Sequence, residues 1–232
     1  MPALLVPRRR RGVEHLDDPH ADPRVVRRSL SDVARSNALF GGTSAVLAEL
    51  DDAFALLRRC ATLLDVGTGM GDIPSQARER ARARGIELAT FGLDSVEVLA
   101  EASRARTTAA IRADALALPF ADRSIDIVTC SQVLHHFADA EARLVVQELN
   151  RVARRRVIIA DIRRSWLAAA GIWMASFPLR FHPVSRHDGV VSVLRGYTVA
   201  ELRGLVSRAI GQVPRARTRR GFRVTASWSP ST

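Results

Sequence analysis

The sequence predicts an α/β protein built on a doubly wound, mostly parallel sheet of seven strands, with an antiparallel hairpin at the C-terminal edge. Strand-like and helix-like patterns alternate from Ala61 to Ile162. A glycine-rich turn follows the first strand, between Gly67 and Gly71. The last apolar segment reads as two strands that turn near Arg219 to Gly221. Alternation of this kind predicts parallel strands covered by helices on both faces.

The segment before the sheet divides into two parts. Residues 1–22 hold a basic cluster, an acidic cluster and three prolines, which predicts a flexible arm. Residues 23–59 have two helical patterns separated by Gly41-Gly42, and we predict that they form an N-terminal helical lid. Thr43 or Ser44 can cap the second of these helices.

Residues 60–232 are predicted to form the main domain. Its first five strands are expected at Ala61–Val66, Ile86–Leu93, Ala109–Arg112, Ile125–Cys130 and Arg156–Ile162. Helices are expected between them at Asp72–Arg84, Val96–Arg106 and Asp139–Val152. Gly85 suits the end of the first helix, and Ser95 can cap the second.

The alternation stops after Ile162, and residues 163–196 are predicted to be a cap inserted into the main domain. Trp166 to Phe181 is apolar and rich in aromatic residues, which suits contact with an aromatic or lipid-like molecule. Core packing explains the same residues equally well. The helix that follows begins at Thr198, which stands three positions before Glu201 as in a capping box.

Charge and composition limit the classes of function. The net charge is +11, but all 35 basic residues are arginine and they are scattered along the chain, so a nucleic-acid substrate is not favoured. No apolar run is long enough to span a membrane, and the N-terminus does not resemble a signal peptide. These features predict a cytoplasmic protein. Cys60 and Cys130 lie in apolar runs and are expected to be buried thiols.

The turn after the first strand reads Asp65-Val66-Gly67-Thr68-Gly69-Met70-Gly71. Glycine lets the backbone adopt positive φ and lets a ligand approach closely. The spacing G-x-G-x-G differs from the dinucleotide fingerprint G-x-G-x-x-G. A carboxylate at Asp65 would repel a diphosphate and attract an ammonium group. The chain has no lysine, which excludes a phosphate-binding P-loop. A glycine turn without a ligand is the alternative.

Acidic residues also follow the second and third predicted strands. Asp94, followed by Ser95, ends the second strand 23 positions after Gly71, where an acid can bind both ribose hydroxyls. Asp114 follows the third strand and can accept a hydrogen bond from an adenine amine, while the N–H of Ala115 can reach the ring. Each aspartate has a structural alternative, since Asp94 can cap a helix and Asp114 can satisfy its own loop.

Together these motifs resemble the S-adenosylmethionine-dependent methyltransferase superfamily, in the branch that includes ubiquinone-biosynthesis and related small-molecule enzymes. The resemblance runs from Leu63 to Ile162 and rests on LLDVGTGMGDIP, FGLDSVEVLAEA, ADALALPFADRSIDIVTCSQVLHHF and ELNRVARRRVIIADI. It implies a Rossmann-like methyltransferase fold and S-adenosylmethionine as the cofactor.

The resemblance also implies roles for individual residues. The methionine end of the cofactor would lie at Asp65, Gly67 and Gly69, the ribose at Asp94, and the adenine at Asp114 and Ala115. Ser131 and Gln132 would lie beside the sulfonium. In the helical lid, Arg35 and Asn37 are candidates for contact with the cofactor carboxylate.

The expected reaction is in-line transfer of a methyl group to oxygen or carbon of a small aromatic, polyketide or lipid-like molecule. His136 and His187 are the candidate general bases, although an acidic acceptor needs none. No metal-ligand spacing is evident. The alternatives are methylation of RNA or DNA, and binding of the cofactor without catalysis. Ser131-Gln132-Val133-Leu134 stands where amino-methylating enzymes of nucleic acids have Asn-Pro-Pro-Tyr, and Cys130 lacks the proline of a Pro-Cys nucleophile. A monomer and a homodimer are both compatible with the sequence.

Overall fold

One seven-stranded sheet forms the centre of the computed structural model, which describes residues 6–10, 12–17, 20 and 22–231. The strand order is β3-β2-β1-β4-β5-β7-β6. Strands β1 to β5 are parallel, β7 is antiparallel to β5, and β6 is antiparallel to β7, so the predicted fold class is confirmed. The strands are β1 (Cys60–Val66), β2 (Glu87–Asp94), β3 (Ala109–Arg112), β4 (Ile125–Ser131), β5 (Ala153–Ile162), β6 (Arg215–Arg219) and β7 (Arg223–Trp228).

Successive side chains of a strand point to opposite faces of the sheet. Because the strands are apolar on both faces, helices cover the sheet on both sides. Leu63 packs with α2 and α3 on one face, whereas Leu64 packs with α5 and α8 on the other. The helices are α1 (Pro23–Leu39), α2 (Gly42–Phe54), α3 (Asp72–Arg82), α4 (Glu97–Ser103), α5 (Asp139–Val152), α6 (Trp166–Ala175), α7 (Pro183–Arg195) and α8 (Val199–Ile210). Within the described part of the chain, none of them has the length and apolar character that crossing a membrane requires.

Two predicted helix caps are wrong. Helix α2 begins after Gly41, whose φ of 78° provides the turn, so neither Thr43 nor Ser44 serves as its N-cap. Glycine adopts this conformation without the steric cost that a side chain would bring. Ser95 does not cap α4, because the N-cap is Val96, whose N–H donates a hydrogen bond to the carboxylate of Asp94 at 3.1 Å.

The predictions for the cysteines and for the last elements had mixed outcomes. Cys130 is buried, but Cys60 is exposed because it is the first residue of β1, and both thiols are free. The predicted hairpin turn lies between β6 and β7, as expected. The capping box of α8 is also present, with the Thr198 hydroxyl accepting from Glu201 N at 3.2 Å.

The described residues of the predicted N-terminal arm lie against α7. The guanidinium of Arg9 donates to the carbonyl of Arg195 at 2.7 Å. The N–H groups of His15 and Leu16 both donate to the carboxylate of Asp188 at 3.0 Å. These contacts attach the arm to the region predicted to be the cap. The rest of the predicted arm, at residues 1–5, 11, 18, 19 and 21, lies outside the described residues. The division into arm, lid, main domain and cap stays a prediction.

The lid helix α1 and the predicted cap are joined by a buried carboxylate. Asp32 is 1% exposed and accepts hydrogen bonds from His182 N at 2.8 Å and from Ser185 Oγ at 2.9 Å. The turn between α1 and α2 also rests on the β6–β7 hairpin, where a Cβ at Gly221 would collide with the Phe40 carbonyl. Helix α1 is therefore fixed between the cap helices and the hairpin.

Candidate functional site

The glycine-rich turn follows β1, which lies between β2 and β4 in the sheet. The strand order reverses between β1 and β4. Ligands of doubly wound sheets bind at this point because the loops from adjacent strands diverge there. Gly67, Gly69 and Gly71 all have positive φ, at 70°, 53° and 74°. A Cβ at Gly69 would meet no heavy atom within 4 Å, so the turn leaves space beside this residue for a ligand.

The turn is tied to both neighbouring strands. The N–H groups of Gly67 and Thr68 donate to the carbonyl of Leu93 at 2.8 and 3.0 Å, which attaches the turn to β2. On the other side, a Cβ at Gly67 would collide with the side chain of Val133, which follows β4. Gly67 is therefore required for close packing of the loop after β4, whereas Gly69 faces the open space.

Asp65 lies near the end of β1 and is 1% exposed. Its Oδ1 accepts a hydrogen bond from the Thr129 hydroxyl at 2.7 Å, and its buried Oδ2 has no hydrogen-bond partner among the described residues. The pKa of Asp65 is raised to about 7, mainly by burial and in smaller part by the nearby Asp94 carboxylate. The hydroxyl of Ser131, at the end of β4, is likewise buried without a described partner. Buried polar atoms are normally hydrogen-bonded, so these two atoms fit a polar ligand.

Asp94 ends β2 and is 7% exposed. Its Oδ2 accepts a hydrogen bond from Gly69 N at 3.2 Å, and its Oδ1 accepts one from Val96 N at 3.1 Å. Burial raises the pKa of Asp94 above its usual value. The carboxylate therefore links the glycine turn to the end of β2, which brings together two residues predicted to bind the same ligand.

The predicted adenine-binding residues lie after β3. Asp114 is exposed, and its carboxylate accepts a hydrogen bond from Leu116 N at 2.9 Å, which is the local loop contact considered as its alternative role. Ala115 is buried. Ser95 is exposed beside Asp94. These positions are compatible with a ligand that extends from the glycine turn toward β3, and the individual roles stay predictions.

Gln132 adopts a positive φ of 58° directly after β4. Its N–H donates to Ala160 of β5 at 2.8 Å, which fixes the backbone. A Cβ at Gly42 would lie 2.9 Å from Gln132 Nε2 and 3.0 Å from Asn37 Oδ1, so these two side chains meet at the junction of α1 and α2. The structure thus brings Asn37 from the lid to the end of β4.

A partly open cavity of about 200 Å³ begins at this junction and is lined by α1, α6, α7, the ends of β4 and β5, and the start of β7. Gln132 and Asn37 line it, and most of the remaining wall is apolar, including Phe40, Ile172 and Phe181. Concave, mainly apolar cavities with a few polar groups are typical of small-molecule sites. The cavity and the glycine turn share the end of β4, where Ser131 and Gln132 are adjacent in sequence.

The remaining predicted residues lie elsewhere. The Arg35 guanidinium donates to the Leu179 carbonyl at 3.3 Å and lies over the Phe181 ring. His187 contacts the carboxylate of Asp188 at 2.9 Å through Nδ1. His136 is exposed beside Arg195. None of these three is among the residues that line the cavity, and contact of Arg35 with a cofactor and a base role for either histidine stay predictions.

Asp161 and His135 form a buried pair that the sequence patterns do not indicate. The Asp161 carboxylate accepts hydrogen bonds from His135 N at 3.2 Å and from Ile162 N at 2.7 Å, and it contacts His135 Nδ1 at 2.7 Å. Burial raises the pKa of Asp161, but the charge and hydrogen bond of His135 outweigh burial and leave this pKa below its usual value. The pair fixes the segment after β4 against the end of β5, and so positions both sites.

Comparison with known proteins assigns a family to the middle of the chain. Residues 64–160 match the family described as a methyltransferase domain. The chain is 31% identical over 147 residues to the demethylmenaquinone methyltransferase of Deinococcus radiodurans, covering 60% of this chain and 58% of that protein. It is 32% identical over 108 residues to the tRNA (carboxymethyluridine(34)-5-O)-methyltransferase alkbh8 of Xenopus tropicalis, covering 46% of this chain and 16% of that protein.

Among solved structures, the fold is similar to magnesium protoporphyrin IX methyltransferase from Synechocystis PCC 6803 with bound SAH. The TM-score is 0.58 at 16% identity, and the alignment covers 86% of this chain and 87% of that one. The chain spans less than two thirds of the length of both named relatives.

Proposed function

We propose that this chain, which carries a methyltransferase domain of the class I S-adenosylmethionine-dependent type over residues 64–160, transfers a methyl group from S-adenosylmethionine to a small, mainly apolar molecule. One observation carries the proposal. The cluster of Asp65, Gly69 and Asp94 at the reversal of strand order opens toward the end of β4, where a separate cavity begins. A cofactor and an acceptor can therefore approach each other beside Ser131 and Gln132.

The proposed cofactor site uses the polar groups that the fold leaves unsatisfied. The unpaired Oδ2 of Asp65 would accept a hydrogen bond from the ammonium of the methionine moiety. Asp94 would accept hydrogen bonds from the ribose hydroxyls, and the loop at Asp114 and Ala115 would bind the adenine. The open space beside Gly69 would let the ligand lie close to the glycine turn. These roles agree with the donor and acceptor chemistry of S-adenosylmethionine.

The bound sulfonium supplies an activated methyl group. The contribution of the chain is then to align the acceptor atom with the S–CH₃ bond and to exclude water. The apolar walls from α1, α6 and α7 serve the second purpose, since they line the cavity. An acceptor that is already ionised needs no base, which agrees with the position of His136 and His187 outside the cavity lining.

The nature of the acceptor separates two candidates. Similarity to a demethylmenaquinone methyltransferase supports an aromatic or lipid-like small molecule, whereas similarity to a tRNA methyltransferase supports RNA. The mainly apolar lining of the cavity favours the small molecule because a nucleotide of RNA carries a phosphate and other polar groups that such a wall does not bind. We expect labelled methyl transfer from S-adenosylmethionine to members of a panel of phenols, quinols and enolic diketones, and none to bulk tRNA. Labelling of tRNA alone would contradict the proposal. A reaction without protein gives the blank, and Asp94→Ala should transfer less label when S-adenosylmethionine is limiting.

The raised pKa of Asp65 makes a separate prediction about pH. In the free protein Asp65 becomes protonated as the pH falls below about 7, whereas a bound ammonium favours the carboxylate. The affinity for S-adenosylhomocysteine should therefore fall by up to about tenfold per pH unit below pH 7, and binding should release a proton. Calorimetry in buffers of different ionisation enthalpy measures both effects.

Two variants test whether Asp65 is the titrating group. Asp65→Asn should bind S-adenosylhomocysteine more weakly at pH 8 and should lose most of the pH dependence. Imidazoles titrate in the same range, so His136→Gln is the matched control and should keep the slope. In the free protein a raised carboxyl pKa means that the folding free energy becomes less favourable as the pH rises from about 4 to 7, and Asp65→Asn should also remove this trend. A pH slope that survives in Asp65→Asn would rule out the assignment.

A further inference from the structure

Arg223 places a buried positive charge in the wall of the cavity. It is the first residue of β7 and pairs with Ile162 of β5 in the antiparallel register. Directly opposed residues in an antiparallel pair share one face of the sheet, and both of these residues line the cavity. Arg223 is only 6% exposed, and the Nε atom of its guanidinium is fully buried.

This arginine differs from the two other buried arginines of the described chain. Arg164 donates to the carbonyls of Pro7 and Gly196 and to the carboxylate of Glu201. Arg195 donates to the Gly12 carbonyl and to the carboxylate of Glu14. No described residue accepts a hydrogen bond from the guanidinium of Arg223, and its Nε is fully buried without a partner.

Each acidic residue that lines the cavity accepts hydrogen bonds from groups other than Arg223. Asp188 accepts hydrogen bonds from two backbone N–H groups of the N-terminal segment. Glu14 accepts from Ser192 at 2.8 Å and from Arg195 at 3.1 Å. Asp32 accepts from His182 N and Ser185 Oγ through Oδ2, whereas its buried Oδ1 has no hydrogen-bond partner among the described residues and lies 3.9 Å from Arg28. These contacts hold the wall together, and none of them neutralises Arg223.

A buried cation without a hydrogen-bond partner is unfavourable for folding. Burial lowers the pKa of Arg223 to about 10, although the nearby Asp161 carboxylate opposes this shift, so the guanidinium stays charged at neutral pH. Its five donors and planar shape match an oxyanion better than any other protein side chain does. The same position filled by an apolar residue would continue the apolar wall, so the charge serves no evident structural purpose.

We infer that Arg223 binds a negatively charged oxygen group of the methyl acceptor, so that the acceptor is a mainly apolar molecule carrying one oxyanion, such as a carboxylate or an ionised enol or phenol. The inference deepens the proposed function and rests on it for the identity of the ligand as acceptor. The apolar surfaces of Phe40, Leu167, Ile172 and Phe222 would contact the body of the molecule. Arg223 would then determine specificity for charge and fix the orientation of the acceptor.

Binding of matched acids and amides tests this inference without a known acceptor. The probes are benzoate, 2-naphthoate and 4-phenylbutyrate, each compared with its own primary amide by calorimetry, with and without S-adenosylhomocysteine. At least one acid should bind the wild-type protein about 10-fold to 100-fold more tightly than its amide, as expected for a charge-assisted hydrogen bond. The Arg223→Met variant should bind that acid and its amide with equal affinity. It should also bind S-adenosylhomocysteine as the wild type does.

Two further variants complete the experiment. Arg220→Met removes the same charge from the exposed turn of the same hairpin and should keep the preference for the acid. Arg223→Lys keeps the charge and should keep part of the preference, which distinguishes recognition of charge from loss of packing. Arg223→Met should raise Tm, because it removes an unpaired buried cation.

Two outcomes would overturn the inference: no acid is preferred by the wild-type protein, or Arg223→Met retains the preference. Lack of S-adenosylhomocysteine binding would instead contradict the proposed function, and the preference for acids would still be measurable in its absence.

Discussion

Replacement of Asp161 by alanine is expected to reduce the free energy of unfolding by about 3–5 kcal/mol, because it leaves the buried N–H groups of His135 and Ile162 and the His135 ring without their hydrogen-bond partner. Asp161 is fully buried, and it accepts two backbone hydrogen bonds as well as contacting the ring of His135. For a chain of this size the loss corresponds to a decrease in Tm of about 6–20 °C. Thermal and urea denaturation followed by circular dichroism measure it.

Replacing both Asp161 and His135 is expected to reduce the free energy of unfolding less than replacing Asp161 alone. The double variant Asp161→Val with His135→Leu should recover part of the stability lost in Asp161→Ala, since it buries no unpaired charge. If Asp161→Ala and the double variant are equally destabilised, packing rather than charge pairing explains the effect. A loss below about 1 kcal/mol would show that the pair is not important for folding.

The stabilisation by Asp161 should depend on pH in a defined direction. The pKa of Asp161 is below its usual value in the folded protein, so the folded state binds fewer protons than the unfolded state in the acidic range. The contribution is therefore complete above a pH of about 4, the ordinary aspartate value, and is lost as the pH falls through the folded pKa. The difference in stability between the wild type and Asp161→Ala should shrink accordingly in acid.

Replacement of Asp94 by alanine is expected to weaken binding of S-adenosylhomocysteine by about 1.5–3 kcal/mol, or about 10-fold to 150-fold in Kd. Charge-assisted hydrogen bonds to the ribose hydroxyls would be lost. The variant would also lose the acceptor for Gly69 N, which lies 3.2 Å from the carboxylate, so the glycine turn itself becomes less ordered. Calorimetry at pH 8, above the pKa of about 7 of Asp65, gives the cleanest comparison.

Two controls separate the two effects of Asp94. Asp94→Asn keeps an oxygen that can accept from Gly69 N, and should therefore show a smaller loss than Asp94→Ala. Asp122→Ala removes an exposed carboxylate that pairs with Arg151, and should leave the affinity unchanged. Unchanged affinity in Asp94→Ala would disprove the ribose role of this residue.

Most secondary structure could be predicted from the sequence because it depends on local patterns. The helix at Asp139–Val152 has the predicted limits, and the hairpin turns where the sequence indicates. Two failures lie at the starts of helices. Val96 is the N-cap of α4 in place of Ser95, and its N–H donates to the Asp94 carboxylate; Gly41 is the N-cap of α2 in place of Thr43 and Ser44. Cys60 is exposed because it is the first residue of β1, and a strand pattern in the sequence does not show which end residues lie outside the core.

The candidate site divides in the same way. The sequence indicated Asp65, the glycine turn and Asp94, because these residues follow strands whose order makes them neighbours, and the structure joins Gly69 to Asp94. It did not indicate Arg223, which appears in the sequence as one of many arginines of a basic hairpin. Only the pairing of β7 with β5 turns this side chain toward the cavity.

The sequence by itself determined the doubly wound sheet, the turn that begins at Asp65 and the choice of the proposed cofactor, because strand–helix alternation and short motifs act over a few neighbouring residues. The tertiary structure alone decided the shape and charge of the cavity proposed for the acceptor. Its walls come from α1, α6, α7 and β7, which are far apart in sequence. Arg223 stands out among the arginines only once the structure shows that its Nε is buried without a hydrogen-bond partner. Contacts between distant segments depend on packing, and no local pattern encodes them.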